Sequence, residues 1–188
     1  MKKLFILVFV LVALAQLSVP AWMAWARVQT LAHGRVWKFK TAPVDPEDAV
    51  RGRYVRLSYD VDRYTANQKF RSGDSVYAVL KENAEGFAEV DRLTTEKGDG
   101  DNFVKVEAWW SNDRENIAFP LNQYWVTERD APAAEKAYVE NSRRGQQNAF
   151  VTVRVRNGDA ALEQLYINNQ PLRDYLRAEA QKAQSEKK

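Results

Sequence analysis

The sequence of 188 residues contains no cysteine and only one histidine, His33. The missing thiols exclude thiol catalysis, thiolate metal sites and dithiol redox chemistry. A Ser-His-Asp triad or a multi-histidine metal site would need His33, which lies close behind an apolar N-terminal segment. We interpret His33 as a solvated residue at the end of a short helix. The composition therefore predicts no catalytic residue of these classes, no metal and no cofactor.

Long apolar runs are missing except at the N-terminus, where only two polar residues interrupt Leu4–Val19. Leu4–Ala26 offers 23 positions, and a helix needs roughly 20 apolar residues to cross the hydrocarbon core of a bilayer. Pro20 lies near the outer end, where its lost hydrogen bond is tolerated. Trp22 and Trp25 then fall at the membrane interface, where aromatic rings settle. The segment predicts a single transmembrane anchor.

A cleaved secretory signal is the alternative interpretation of the same segment. Lys2 and Lys3, the apolar core and the small residues at 24–26 are typical of a signal with its cleavage site. We favour retention of the helix. Both interpretations place the following domain outside the cytoplasm, because Lys2 and Lys3 hold the N-terminus inside.

Acidic residues are missing from the first 44 positions, which carry six basic ones: Lys2, Lys3, Arg27, Arg35, Lys38 and Lys40. The other 22 Lys and Arg face all 25 Asp and Glu, so residues 45–188 have a net charge of −3. The sequence pI near 9.0 is thus no sign of a nucleic-acid partner, and we predict none. Basic residues beside a membrane gain about 1 kcal/mol each near anionic lipid, although a polar flank explains them equally well.

Beyond residue 34 the hydrophobic pattern alternates, which is typical of half-buried strands. The predicted strands are 35–40, 54–61, 75–81, 87–94, 103–110, 149–156 and 160–167. Residues 82–86 and the dipeptide Asn157-Gly158 predict hairpin turns, and Asn-Gly is the strongest short-range hairpin signal. Residues 96–102 and 111–116 are interpreted as exposed turns.

Helices are predicted at 46–52, at 132–144 and from 171 towards the C-terminus. The fold class is mainly β (α+β): one antiparallel β domain with two or three short helices, preceded by a single N-terminal transmembrane helix. The predicted divisions are an anchor 1–26, a basic juxtamembrane segment with the first strand 27–44, an extracytoplasmic β-rich domain 45–175 and a polar helix end and tail 176–188.

Residues 51–59 carry a recognisable motif, Arg-Gly-Arg-Tyr-Val-Arg-Leu-Ser-Tyr. Through it the chain resembles the GDYXXLXY-motif family of membrane-anchored bacterial proteins. The glycine, first tyrosine, leucine and second tyrosine of the motif are Gly52, Tyr54, Leu57 and Tyr59. Arg53 stands where the family name has aspartate, which weakens any proposal that a carboxylate does chemistry at this position.

The similarity continues through residues 124–128, Glu135 and the closing hairpin 158–168, and so covers most of the soluble part. The resemblance implies a bacterial envelope protein with an uncleaved anchor in the inner (cell) membrane and its soluble domain in the periplasm. It implies no activity, because the family has no established biochemical one.

The motif has two physical interpretations. One is a turn followed by a strand that specifies the fold, with Leu57 and Tyr59 on one face. The other is a tyrosine-lined binding groove. Tyr54 is three residues from Leu57 and lies on the opposite face of a regular strand. Either a bulge near Val55 brings it round, or its ring packs over the turn at 45–52.

Glu128, Asp130 and Glu135 surround the turn that follows residues 124–127. Two carboxylates about 5 to 9 Å apart can act as acid and base in glycoside cleavage. Surface pairing of Glu128 and helix capping by Asp130 explain the same residues structurally. The candidate binding residues are therefore the motif and two of these carboxylates: Gly52, Arg53, Tyr54, Leu57, Tyr59, Glu128 and Glu135.

Aromatic residues make up 12% of the chain, and two pairs of neighbours stand out: Trp109 with Trp110, and Tyr124 with Trp125. Neighbours on a strand point to opposite faces. One member of each pair is thus a candidate for an exposed surface that stacks on sugars or contacts a partner.

Three functional hypotheses follow. The leading one is a non-enzymatic, membrane-tethered module of the bacterial envelope that binds another membrane or envelope protein, because the chain has one anchor and no nucleophile–base set. The second is a small envelope hydrolase that uses Glu128 with Asp130 or Glu135. The third is a ligand sensor built around Tyr54 and Tyr59.

Overall fold

The computed structural model describes residues 2–42, 54–66, 69–71, 74–111, 114–142 and 148–185. Helix α1, Lys2–His33, runs unbroken through Pro20 and is long and apolar enough to cross a membrane. At 1.5 Å per residue its 32 residues extend about 48 Å, whereas the hydrocarbon core is about 30 Å thick. His33 is therefore the exposed end of this long helix and not of a separate short one, which corrects that prediction.

The first sheet has four antiparallel strands in the order β1-β9-β10-β11. These strands are β1 Arg35–Lys40, β9 Ala149–Arg156, β10 Asp159–Ile167 and β11 Gln170–Pro171. Asn157 and Gly158 join β9 to β10 with φ angles of 52° and 89°. An Asn-Gly hairpin turn requires a positive φ at both of its central residues. The predicted hairpin is confirmed, and a register shift between Leu162 and Gln164 adds a bulge to β10.

The second sheet has five strands in the order β3-β7-β6-β4-β5. These are β3 Thr65–Ala66, β4 Val76–Glu82, β5 Ala88–Thr94, β6 Phe103–Ser111 and β7 Arg114–Ala118. Strand β7 lies partly in the segment 111–116 that was predicted as an exposed turn, so that prediction is wrong. The sequence of β7 does not alternate between polar and apolar residues as a half-buried strand should, because its inward-pointing Glu115 is polar although only 3% exposed.

A pair of short strands, β2 Tyr54–Arg56 and β8 Gln123–Trp125, forms a separate antiparallel ladder. The strand predicted over 54–61 therefore ends early, and residues Asp60–Arg63 form a 3-10 helix. The chain turns here because the Asp62 carboxylate accepts the Tyr59 backbone N–H at 3.0 Å. Even so, the predicted inward set is correct, since all four of its members are buried: Val55, Leu57, Tyr59 and Val61.

Two further helices complete the described chain, α2 Ala131–Ser142 and α3 Leu172–Ser185. Both occur where the sequence predicts them, and they contact each other and β10. The helical turn predicted at 46–52 lies outside the described residues. The predicted fold class is confirmed: mainly antiparallel β with few helices, behind one long apolar N-terminal helix.

The two large sheets share one core. The Asn157–Gly158 turn of the first sheet reaches β6 of the second, where the Lys105 N–H donates to the Gly158 carbonyl at 3.1 Å. Trp37 of β1 donates its indole N–H to the Asp101 carbonyl at 2.8 Å. The rings of Phe39, Tyr59 and Phe119 pack in the middle of this core.

Candidate functional site

The motif residues differ sharply in burial. Leu57 is 3% exposed and Tyr59 is 2% exposed, so both belong to the core. Tyr54 is half-buried on β2. Gly52 and Arg53 lie outside the described residues. A ligand therefore has no access to Tyr59, which removes half of the tyrosine pair on which the sensor hypothesis depended.

The buried half of the motif holds the segment 121–125 in place. The Tyr59 hydroxyl donates a hydrogen bond to the Leu121 carbonyl. The Leu57 N–H donates to the Asn122 carbonyl at 2.8 Å. Tyr54 faces Trp125 across the β2–β8 ladder, and their ring centroids lie 5.3 Å apart. The ring of Tyr54 thus packs on the neighbouring strand, with no need for a bulge near Val55.

Two polar side chains support this arrangement, the half-buried Asp62 and the buried Tyr138. The Asp62 carboxylate accepts the N–H groups of Tyr59 and Phe119, each at 3.0 Å, and desolvation raises its pKa above the ordinary value. Tyr138 of α2 donates to the Ala42 carbonyl at 3.2 Å and accepts the Ser58 N–H at 3.4 Å. Burial raises the pKa of Tyr138 to about 12.

The same burial raises the pKa of Tyr59 well above that of a free tyrosine, with the neighbouring Tyr138 and Asp62 adding to the effect. Both tyrosines therefore stay neutral at physiological pH. Their hydroxyl groups form hydrogen bonds with backbone groups inside the core. Neither is placed to exchange a proton with a substrate.

The segment held by the motif forms one wall of a surface groove of about 320 Å³, and α3 forms the other wall. The groove is lined by Tyr124, Trp125, Val126, Thr127, Arg129, Asp130, Leu172, Arg173, Leu176, Arg177 and Ala180. Trp125 is 66% exposed, although Tyr54 supports one part of its ring. We call this feature the arginine groove.

Positive charge dominates the arginine groove, because three arginines and one carboxylate, Asp130, line it. Arg129 lies 3.9 Å from Asp130, and Arg177 lies 3.8 Å from Asp174. Such long, exposed pairs contribute little. Arg173 has no carboxylate within 4 Å among the described residues. The groove therefore combines an exposed indole with one guanidinium group, that of Arg173, without an ion pair in the described part of the chain, and with two that are only weakly paired.

The three carboxylates singled out in the sequence do not come together in the arginine groove. Asp130 lines it and accepts the Thr127 hydroxyl at 2.7 Å, just before α2 begins. Glu128 is exposed, Glu135 is half-buried on α2, and neither belongs to the groove lining. The geometry of this groove therefore offers no acid–base pair.

Each of the two aromatic pairs was predicted to expose one member, and one pair follows this prediction while the other does not. Trp125 is exposed and Tyr124 is half-buried, as the alternation predicts. Trp109 and Trp110, near the end of β6, are both exposed. Lys69 approaches the Trp110 ring at 5.5 Å.

Sequence reasoning missed Arg173 and Arg177 as site residues. Their signal is the spacing of four on α3, which places them on one side of the helix and adjacent to the apolar pair Leu172 and Leu176. What the sequence does not show is that this side lines the same groove as Trp125, which is 48 positions away from Arg173.

Fold and site together define a small β domain on a single long apolar helix, with a cationic surface groove. A model of the family described as GDYXXLXY protein matches residues 16–165. Since the match covers most of the chain, the protein belongs to this family. No curated protein and no solved structure matches it.

Proposed function

We propose that this protein is a single-pass anchored protein of the bacterial inner membrane. Its β domain faces the periplasm and binds another membrane or envelope protein through the arginine groove, without catalysing a reaction. The observation that carries the proposal is the groove itself. An exposed tryptophan, positioned by residues of the family motif, lies beside three arginines, two of which form only long, exposed ion pairs.

The anchor supports the membrane part of the proposal. Helix α1 continues beyond the length that a bilayer requires, and its outer end packs on β9 and β10. Thr30 in this part of the helix is buried, and the Arg154 guanidinium donates to the Gly34 carbonyl at 3.2 Å. A helix joined to the domain in this way presents the groove at a constant height and orientation, as a membrane partner requires.

The composition of the groove supports a protein as the occupant. Tryptophan and arginine are, with tyrosine, the residues enriched at the energetic centres of protein interfaces. Complementary charge steers partners to each other and fixes their register. The partner segment that fits is therefore acidic, with an apolar side chain that packs against Trp125 and Leu176.

The test is recovery of partners from detergent-solubilised membranes after cross-linking, with the full chain as bait. The wild type should recover a membrane or envelope protein. The double variant Arg173→Glu with Arg177→Glu should lose it, because reversed charge repels an acidic segment while both positions lie on the helix surface. Trp125→Ala should weaken the same recovery.

Trp109→Ala is the matched control, since Trp109 is also a half-exposed indole but lies on β6 outside the groove. It should recover the partner as the wild type does. Recovery of the bait alone would refute partner binding. A partner recovered equally by the wild type and the charge-reversed variant would show that the binding surface lies elsewhere.

A further inference from the structure

A second cavity lies between the outer end of α1 and the β domain, about 480 Å³ in volume. Trp22, Met23 and Ala26 form its helix wall, and residues at 105–107 and 158–161 form its domain wall. The volume is within the range of small-molecule sites, about 300–1,000 Å³. The arginine groove shares no residue with this cavity.

The position of the cavity along α1 places it at the membrane surface. If the hydrocarbon core takes about 20 residues from Leu4, it ends close to Met23. The helix wall of the cavity then begins at the last layer of acyl chains and continues into the headgroup region. This step depends on the proposed function, because it requires α1 to span the membrane.

Two positively charged and two negatively charged side chains line the cavity. Arg27 and Lys105 supply the positive charges, and Glu107 and Asp159 supply the negative ones. All four side chains are exposed. None of them forms an ion pair within 4 Å with another residue of the described part of the chain, in contrast to Arg154, which lies 2.8 Å from Glu163.

A molecule that fits this wall is apolar at one end and carries both charges at the other. We propose that the cavity binds a zwitterionic phospholipid of the outer leaflet whose headgroup has a phosphate and a primary ammonium. The phosphate contacts Arg27 and Lys105, the ammonium donates to Glu107 and Asp159, and an acyl chain packs along Trp22. Such a lipid fills the space between anchor and domain and adds to the contacts that join them.

The proposal is tested with the full chain in phosphatidylcholine vesicles that contain a photoactivatable phosphatidylethanolamine or a phosphatidylglycerol with the same acyl chains. After illumination, labelled peptides are identified by mass spectrometry. The wild type should label at 22–30 or 105–107 and should prefer the ethanolamine lipid.

Two double variants separate the charges. Arg27→Gln with Lys105→Gln should reduce labelling by both lipids about tenfold, because each cation near a phosphate contributes to binding. Glu107→Gln with Asp159→Asn should abolish the preference for ethanolamine over glycerol. The control Lys81→Gln with Asp91→Asn removes an exposed ion pair of the β4–β5 hairpin and should label as the wild type does.

Equal labelling of the wild type by both lipids, or labelling that neither cavity variant changes, would overturn the lipid site. Flotation of the protein with the vesicles is measured in the same samples. A wild type that floats but labels without selectivity refutes only the lipid site. A wild type that does not float refutes the membrane anchor, and the lipid site with it.

Discussion

At the residue scale, the family motif acts through burial and hydrogen bonding. Tyr59 is large, almost fully buried and satisfied by the Leu121 carbonyl, while Tyr54 packs on the back of Trp125. One motif residue thus fixes the segment, and another supports the exposed ring at its end. The motif therefore contributes to the candidate site indirectly, by holding the segment that carries Trp125 in place.

Tyr59→Phe tests this positioning role. The variant removes the hydroxyl and leaves the Leu121 carbonyl without its donor, so the free energy of unfolding should fall by about 1–3 kcal/mol. Tyr77→Phe is the control, because the Tyr77 hydroxyl has no hydrogen-bond partner among the described residues, and it should change stability by less than about 0.5 kcal/mol. Urea unfolding of both variants measures the difference, and equal stabilities would contradict the role assigned to Tyr59.

The raised pKa of Tyr138 predicts that the stability of the protein depends on pH in the alkaline range. Its pKa in the folded protein is about 12, above the ordinary value of 10.0, so the folded state holds this proton more tightly than the unfolded state. The resulting stabilisation is complete below about pH 10 and is lost as the pH rises through about 12.

Tyr138→Phe isolates this effect. The difference in free energy of unfolding between the wild type and Tyr138→Phe should be largest below pH 10.0 and should shrink as the pH approaches about 12. Urea titrations at a series of alkaline pH values measure it. A difference that stays constant over this range would show that the folded protein does not raise the pKa of Tyr138.

At the element scale, the junction between α1 and β9 has very little room. Gly34 ends the helix, and its N–H donates to the Thr30 carbonyl at 2.9 Å. A Cβ atom on Gly34 would lie 2.6 Å from the Thr30 carbonyl oxygen and 2.9 Å from that of Val155. Both are backbone atoms, so the helix end and the strand would have to separate.

Gly34→Ala should therefore loosen the anchor from the domain and reduce stability by about 1–3 kcal/mol, as overpacking does. Hydrogen exchange should accelerate at the amides of residues 30–36. Gly86→Ala is the control, because a Cβ there meets nothing within 4 Å. Its positive φ of 80° introduces strain only in the β4–β5 turn, so exchange at 30–36 should stay as in the wild type.

The elements that the sequence predicts well are those with local determinants. Asn157 and Gly158 specify their hairpin because both adopt positive φ within the turn itself. Strand β7 was missed because one of its two buried residues, Glu115, is polar. The alternation in β6, with which β7 pairs, does not indicate which segment lies beside it. Strand β2 ends early because Asp62 turns the chain, which depends on contacts with Phe119.

At the scale of the whole molecule, the continuity of α1 bears on whether the anchor is retained. Cleavage after Ala26 would leave only the last turns of a helix whose C-terminal end packs on the first sheet. We expect the protein from membrane fractions to have its full mass of 21.6 kDa. Intact-mass spectrometry checks this, and a species that lacks residues 1–26 would establish a cleaved signal instead.

The proposed orientation predicts the accessibility of introduced thiols. Because the chain has no cysteine, Ser185→Cys creates a single thiol at the exposed end of α3. A maleimide that cannot cross the inner membrane should label it in cells with a permeabilised outer membrane. Lys3→Cys is the control and should react only after lysis. The opposite pattern would place the domain in the cytoplasm.

The amino-acid sequence by itself determined the long apolar helix, the antiparallel β class, the Asn157-Gly158 hairpin and the family, because each depends on composition or on residues close together in the chain. Only the tertiary structure decided that Tyr59 is a core residue and that Trp125 lines the same groove as Arg173 and Arg177. The reason is physical: burial and the meeting of distant side chains depend on how β8 and α3 pack, and no local pattern encodes that packing.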